Sequence, residues 1–176
     1  INLGAGSWRD FGWEMVRRNL SGIFIDGSGP PKGFPVNPRV NFITDMATPS
    51  NLHDLISRGG LRVFHGANPL PIDFLKIDID SCDCVMAAVA LRLVKPRLII
   101  MEINMAFPPP LRFARQCHED FWDQYSRWCY HGRIPITHGC SLSEAVKVMN
   151  EAGYSLYSFK FMDAVFVDKN YADLVG

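Results

Sequence analysis

An excess of charge is the first thing this sequence lacks: 18 lysines and arginines stand against 18 acids, so the formal net charge is zero. A chain without a basic surplus raises no long-range field to hold a polyanion, which argues against nucleic acid as the main partner. Long apolar runs are missing too. None approaches the roughly 20 residues that span a bilayer, and secretory-signal features are absent. The five histidines show no His-Glu-x-x-His or other ligand spacing. Cysteine is sparse and odd in number, with Cys82, Cys84, Cys117, Cys129 and Cys140. Their spacing matches no disulfide framework or zinc pattern, and Cys82-Asp83-Cys84 is one residue short of Cys-x-x-Cys. Unpaired thiols in a reducing compartment, the cytoplasm or an organelle interior, are therefore expected. The chain begins at Ile1, inside an apparent strand and without Met, so an upstream segment that has been removed or is not represented is a further expectation.

What is present is an alternation of strands and helices. A length of 176 residues suits one domain with a real core, spanning 1–176. The centre of the pattern is the stretch from Leu75 to Asn104. Residues 72–77 and 98–101 are short apolar runs rich in β-branched residues, as for parallel strands buried on both faces. Residues 85–94, rich in Ala, Leu and Met, favour a crossover helix between them. Each run ends in acid: Asp78, Asp80 and Asp83 after the first, Glu102 with Asn104 after the second. A right-handed crossover puts both carboxyl ends on one sheet edge, where open α/β folds bind ligands, so these tips are expected side by side. Asp80 and Ser81 are also candidate helix caps. Four grouped carboxylates nevertheless repel unless a cation or a donor-rich ligand offsets them, which points to a site.

Taken in order, residues 1–8 read as a strand running into a Gly-rich turn, with Gly4 and Gly6, and then a helix. Such a turn offers N–H groups to a carboxylate or phosphate. Residues 22–26 form a second strand ending at Asp26, where nucleotide-binding α/β folds carry a ribose-binding acid; a plain turn residue before Gly27 is the other reading. Residues 28–38 are a Gly/Pro loop where a helix would be expected. A third strand, 40–44, leads to Asp45, and a helix over 52–57 stops at Gly59. Residues 107–137 break the rhythm with an aromatic and basic insertion. It reads as a lid or substrate wall for a small-molecule acceptor, as a protein-partner surface, or as a helix packed on the domain. Ser141 to Glu144 is a capping box, and two final strands separated by 160–163 must form an antiparallel hairpin.

These stretches carry a resemblance. The first turn Asn2-Leu-Gly-Ala-Gly6, the strand ending at Asp26, Leu75-Lys-Ile-Asp-Ile-Asp80 and Pro96-Arg-Leu-Ile-Ile-Met-Glu-Ile-Asn104 resemble Rossmann-type S-adenosylmethionine-dependent methyltransferases, closest to FkbM-like and related methyltransferase-like proteins. The likeness spans nearly the whole chain. It implies an α/β fold with a Rossmann-like, mostly parallel sheet of seven strands, the last inserted antiparallel in a C-terminal hairpin. It also implies S-adenosylmethionine as cofactor. Gly4 and Gly6 would then lie against its methionine part, Asp26 would hold the ribose, and Asp45 would sit near the adenine. Asp78 and Asp80 would face the transferred methyl, with Glu102 and Asn104 on the acceptor side. Asp80 or Glu102 is the candidate base, or either helps hold a divalent cation. The implied activity is methyl transfer to a small or sugar-like hydroxyl or carboxyl. Departures from the pattern, Ser7-Trp8 after the first turn, the 28–38 loop and Ser81 where relatives carry glycine, each narrow or fill the pocket. They imply the second reading, a catalytically silent domain kept as a subunit of a larger assembly.

Overall fold

The computed structural model describes residues 1–5, 11–34, 37–63, 66, 68–117 and 136–174. Among these, seven strands form one mixed sheet: β1 (Asn2–Leu3), β2 (Gly22–Asp26), β3 (Val40–Thr44), β4 (Leu70–Ile77), β5 (Val94–Glu102), β6 (Tyr154–Lys160) and β7 (Asp163–Asp168). Their order is β3-β2-β1-β4-β5-β7-β6. The first five are mutually parallel, while β7 runs antiparallel to both β5 and β6. Four α-helices accompany them among the described residues, α1 (Phe11–Arg17), α2 (Leu52–Arg58), α3 (Asp83–Leu93) and α4 (Leu142–Glu151), with a 3-10 helix over Lys169–Leu174. The expected α/β class, the mostly parallel sheet and the reversed last strand are all present. The hairpin follows from chain length, since only Phe161 and Met162 separate β6 from β7 and a parallel return would need a dozen residues or more.

The crossover helix is displaced from its expected place. It starts at Asp83 and ends at Leu93, and β5 begins at Val94 with no intervening loop. Pro96 is the physical reason: a residue before proline is driven out of the helical region, so Lys95 must be extended. The Val94 N–H still closes the helix by donating to the Ala90 carbonyl. Pro96 then lies opposite Ile72 in the ladder, and its carbonyl accepts the buried Tyr154 hydroxyl at 2.8 Å.

Two cores flank the sheet. The larger takes Ile23, Ile25, Leu75, Ile77, Ile99 and Met101 from the strands, with α2, α3 and α4 supplying Leu55, Met86 and Met149. The smaller centres on Phe24, whose side chain alternates to the opposite face and meets Val16 of α1 and Ala5. Here the Gly/Pro loop does the work of a missing helix. Phe34, itself half-buried, packs edge-on against Phe24 and Phe42, with ring centroids 5.5 and 5.3 Å apart. Burial of β5 on both faces is not what the fold has: Ile99 and Met101 are buried, whereas Leu98 and Ile100 are half-buried. No helix among the described residues is long and apolar enough to cross a membrane.

The cysteines overturn an expectation. Instead of unpaired thiols, disulfides join Cys82 to Cys117 and Cys84 to Cys140. Partners 35 and 56 residues apart meet because the segments around 113–117 and 136–141 return to the start of α3. Spacing along the chain cannot reveal such a meeting. Disulfides of this kind fit a reducing compartment poorly. Cys129, Gly6, Trp8 and residues 118–135 of the aromatic insertion lie outside the described residues.

Candidate functional site

Parallel pairing brings the carboxyl ends of β3, β2, β1, β4 and β5 to one edge, so Asp45, Asp26, Gly4, Asp78 and Glu102 follow one another along it. At a strand spacing of about 4.8 Å, the three steps from β2 to β5 cover on the order of 15 Å. Of the expected acids, Asp78, Asp80 and Glu102 converge, each offering a carboxylate oxygen within 4.8 Å of the others. The β4–β5 register produces this, because Ile77 lies opposite Met101 and the next residues are Asp78 and Glu102. Asp80 reaches the cluster from a left-handed backbone conformation, φ 54°, which costs a non-glycine residue of order 1 kcal/mol.

Neither Asp80 nor Ser81 caps α3; Cys82 holds the cap position, without a side-chain cap bond. Asp83 instead turns back, and its Oδ1 accepts the Ile79 N–H at 3.0 Å. That bond closes the 79–83 turn and draws the carboxylate into the interior, where Asp83 is 0% exposed and its Oδ2 has no partner. Burial pushes its carboxyl up to about 6, the Ile79 N–H opposes this, and the charges of Asp78 and Asp80 add to it. Glu102 is pushed further, to about 9, by burial first and then by Asp78, Asp80 and Asp83. At neutral pH Glu102 therefore carries a proton, and it shares a hydrogen bond with Asp78. The tip thus packs this neutral acid against the carboxyl groups of Asp78 and Asp80. The same three carboxyls have the donor chemistry and spacing to hold a divalent cation once Glu102 gives up its proton.

One participant escaped the sequence reading. Lys76 lies two residues before Asp78 on the same face of β4, is buried, and donates from Nζ to Asp78 Oδ2 at 2.6 Å. An inward lysine in an apolar strand was the available signal, since a buried ammonium needs a partner.

The remaining site residues are engaged as follows. Gly4 has φ +82°, and a Cβ there would run into the Asp78 carbonyl, so the β1 and β4 tips touch backbone to backbone. The Gly4 and Ala5 N–H groups both donate to the Ile25 carbonyl, at 2.9 and 3.4 Å, so these two amides are not presented to an anion. Asp26 Oδ1 accepts the Ser28 N–H at 2.8 Å and the Ser28 hydroxyl. Asp45 accepts its neighbour Met46 N–H and pairs with Arg58 at 2.9 Å. The Asn104 amide donates to the Ile136 and His138 carbonyls at 2.6 and 2.7 Å, while its oxygen accepts the Ala106 N–H. Its role in this fold is to hold the 136–141 return segment beside Asp83, where Gly139 packs and donates to the Ser81 carbonyl at 2.6 Å.

A cavity of about 590 Å³ lies at the opposite, amino-terminal edge, lined by residues including Asn2, Gly22, Arg39, Asn41 and Phe74. It is separate from the carboxylates, and the perturbed acids make the carboxyl edge the better candidate site. No protein-family model matches the chain, and none of the curated proteins compared with it matches.

Proposed function

We propose that the chain is a Rossmann-like, FkbM-like S-adenosylmethionine-dependent methyltransferase acting on a small-molecule or sugar-like hydroxyl or carboxyl acceptor. The observation that supports this most is the strand order with β7 reversed between β5 and β6, together with the row of acids along the carboxyl edge. Carboxylates accept hydrogen bonds from hydroxyls, so Asp26 suits a ribose and the β4–β5 tip suits a hydroxylated acceptor. The first turn fits less well, because its Gly4 and Ala5 amides are spent on Ile25. The cofactor would supply an electrophilic methyl group on a sulfonium. Asp26 would hold ribose hydroxyls and Gly4 and Gly6 would border the amino-acid end, with Asp45 towards the base. Lys76 fixes Asp78 through its Nζ, 2.6 Å from Oδ2. Glu102, protonated at neutral pH, donates to Asp78 and orients the tip, leaving Asp80 to accept the acceptor's proton.

Calorimetric titration with S-adenosylmethionine and S-adenosylhomocysteine, with Asp26→Ala alongside, tests this. Micromolar binding that Asp26→Ala weakens at least tenfold supports the reading. A folded chain that binds neither compound sinks it. The second reading, a silent methyltransferase-like subunit of a larger assembly, has its own observation. Asp26, Asp45 and the Gly4 and Ala5 amides spend hydrogen bonds inside the protein at the places where a cofactor would need them.

A further inference from the structure

Four cysteines meet at one place, the start of α3, directly behind the carboxylate tip. The disulfide Cα atoms lie 5.4 Å apart for Cys82–Cys117 and 5.9 Å for Cys84–Cys140, within the ordinary range. What they fasten is a small wall built from two remote segments. The Ala114–Cys140 bridge, Arg115 N–H to the Gly139 carbonyl at 3.0 Å and Ser141 N–H to the Phe113 carbonyl at 2.8 Å stitch 113–117 to 136–141. Gly139 N–H then joins the wall to Ser81, and the space a Gly139 Cβ would take lies 3.4 Å from the unpartnered Asp83 Oδ2. Among the described residues, Gly139 donates from the wall to the Ser81 carbonyl, and Asn104 ties it to the β5 tip through Ile136, His138 and Cys140.

The two bonds differ in access. Cys84 and Cys140 are 3% and 0% exposed, so that disulfide is sealed at both ends; Cys82 is buried but Cys117 is half-buried. Thiol–disulfide exchange needs a thiolate to reach a sulfur, so access ranks the two. We propose that they form a two-stage, thiol-sensitive clasp on the wall of the carboxylate site. The outer Cys82–Cys117 bond is the labile stage, and the inner Cys84–Cys140 bond holds until the outer one has opened. In the outer step a dithiol reductant attacks Cys117 Sγ and Cys82 leaves as thiolate. The reductant's second thiol then displaces Cys117. Two electrons and two protons pass to the protein's cysteines, and the reductant becomes its own disulfide. Re-formation requires a disulfide oxidant and so an oxidising compartment. The clasp stands whether or not the site transfers methyl groups.

The test uses the whole chain and no cofactor. Alkylation with and without a graded dithiol, followed by peptide mapping, should show Cys82 and Cys117 labelled at least tenfold faster than Cys84 and Cys140. Hydrogen exchange at Arg115, Gly139 and Ser141 should accelerate at least tenfold once the outer bond is open, while amides of the β2–β3 ladder keep their protection. Cys82→Ser with Cys117→Ser should reproduce that exchange pattern and lower Tm by on the order of 10 °C. If the double variant does not fold, the reductant titration of the unaltered chain decides alone. Four outcomes overturn the proposal: free thiols at all four positions before reduction, a bond to Cys129, equal or reversed labelling rates, or unchanged exchange in the wall.

Discussion

Replacing Asp83 by Asn tests the electrostatics of the site most directly. Asn keeps a carbonyl oxygen for the Ile79 N–H but cannot ionise. Wild-type Asp83 has its carboxyl raised from 3.8 to about 6 by burial. At about 1.4 kcal/mol per pH unit, that rise is worth about 3 kcal/mol. The direction follows from proton uptake: between the two values the folded state keeps the proton that the unfolded chain has lost. The stability contribution is therefore complete below 3.8 and disappears as pH rises through about 6. Urea unfolding from pH 3 to 8, with disulfides intact, should show Asp83→Asn gaining on the wild type by about 3 kcal/mol between pH 3 and 7. Coupling to Glu102 works in the same direction, because losing the Asp83 charge also eases that carboxyl. A gap that does not change with pH would refute a buried, raised carboxyl at this position.

Glu102→Gln imitates the protonated form, so its stability at pH 4, where folded and unfolded wild type both hold the proton, should stay within about 1 kcal/mol of wild type, and the variant should gain on the wild type as pH rises above 4.5. Glu102 is raised to about 9; its contribution is present below the ordinary carboxylate value and lost as pH rises through 9, so melts at pH 9.5 should favour the variant. Gly4→Ala should cost about 3 kcal/mol or more, combining the φ +82° backbone with the collision against the Asp78 carbonyl. Gly33→Ala, at φ +84° with nothing within 4 Å of the added carbon, should cost only about 1–2 kcal/mol by denaturant unfolding. Equal losses would remove the backbone contact from the account.

Much of the fold was legible because it depends on short-range pattern. Residues 22–26 and 40–44 read as strands and are β2 and β3 to the residue. The short connection, read as 160–163 and observed as Phe161 and Met162, left no alternative to a hairpin. The capping box came half true: Ser141 Oγ accepts the Glu144 N–H at 3.3 Å, but Glu144 pairs with Arg112 at 2.7 Å rather than returning to the cap. Along the site edge, the meeting of Asp78 and Glu102 follows from the crossover rule, whereas Asp80 joins them through its left-handed backbone at φ 54°. What could not be read depends on remote contact. The inward turn of Asp83 needs the 79–83 backbone, the role of Asn104 needs a segment more than 30 residues away, and the two disulfides need that segment and 113–117 together.

The reversed β7 also constrains how the chain emerges from the ribosome. β5 ends at Glu102, and the hairpin that completes its outer hydrogen-bond ladder begins only at Tyr154. At about 5–20 residues per second, the nascent chain carries β5 as an open edge for on the order of several seconds. That edge is the apolar run Leu98-Ile-Ile-Met101, whose ladder partners are to be Ala164 to Val167. An unpaired apolar edge invites strands from neighbouring chains. The stretch that frames the site is thus also where crowded synthesis would make chaperone cover matter most.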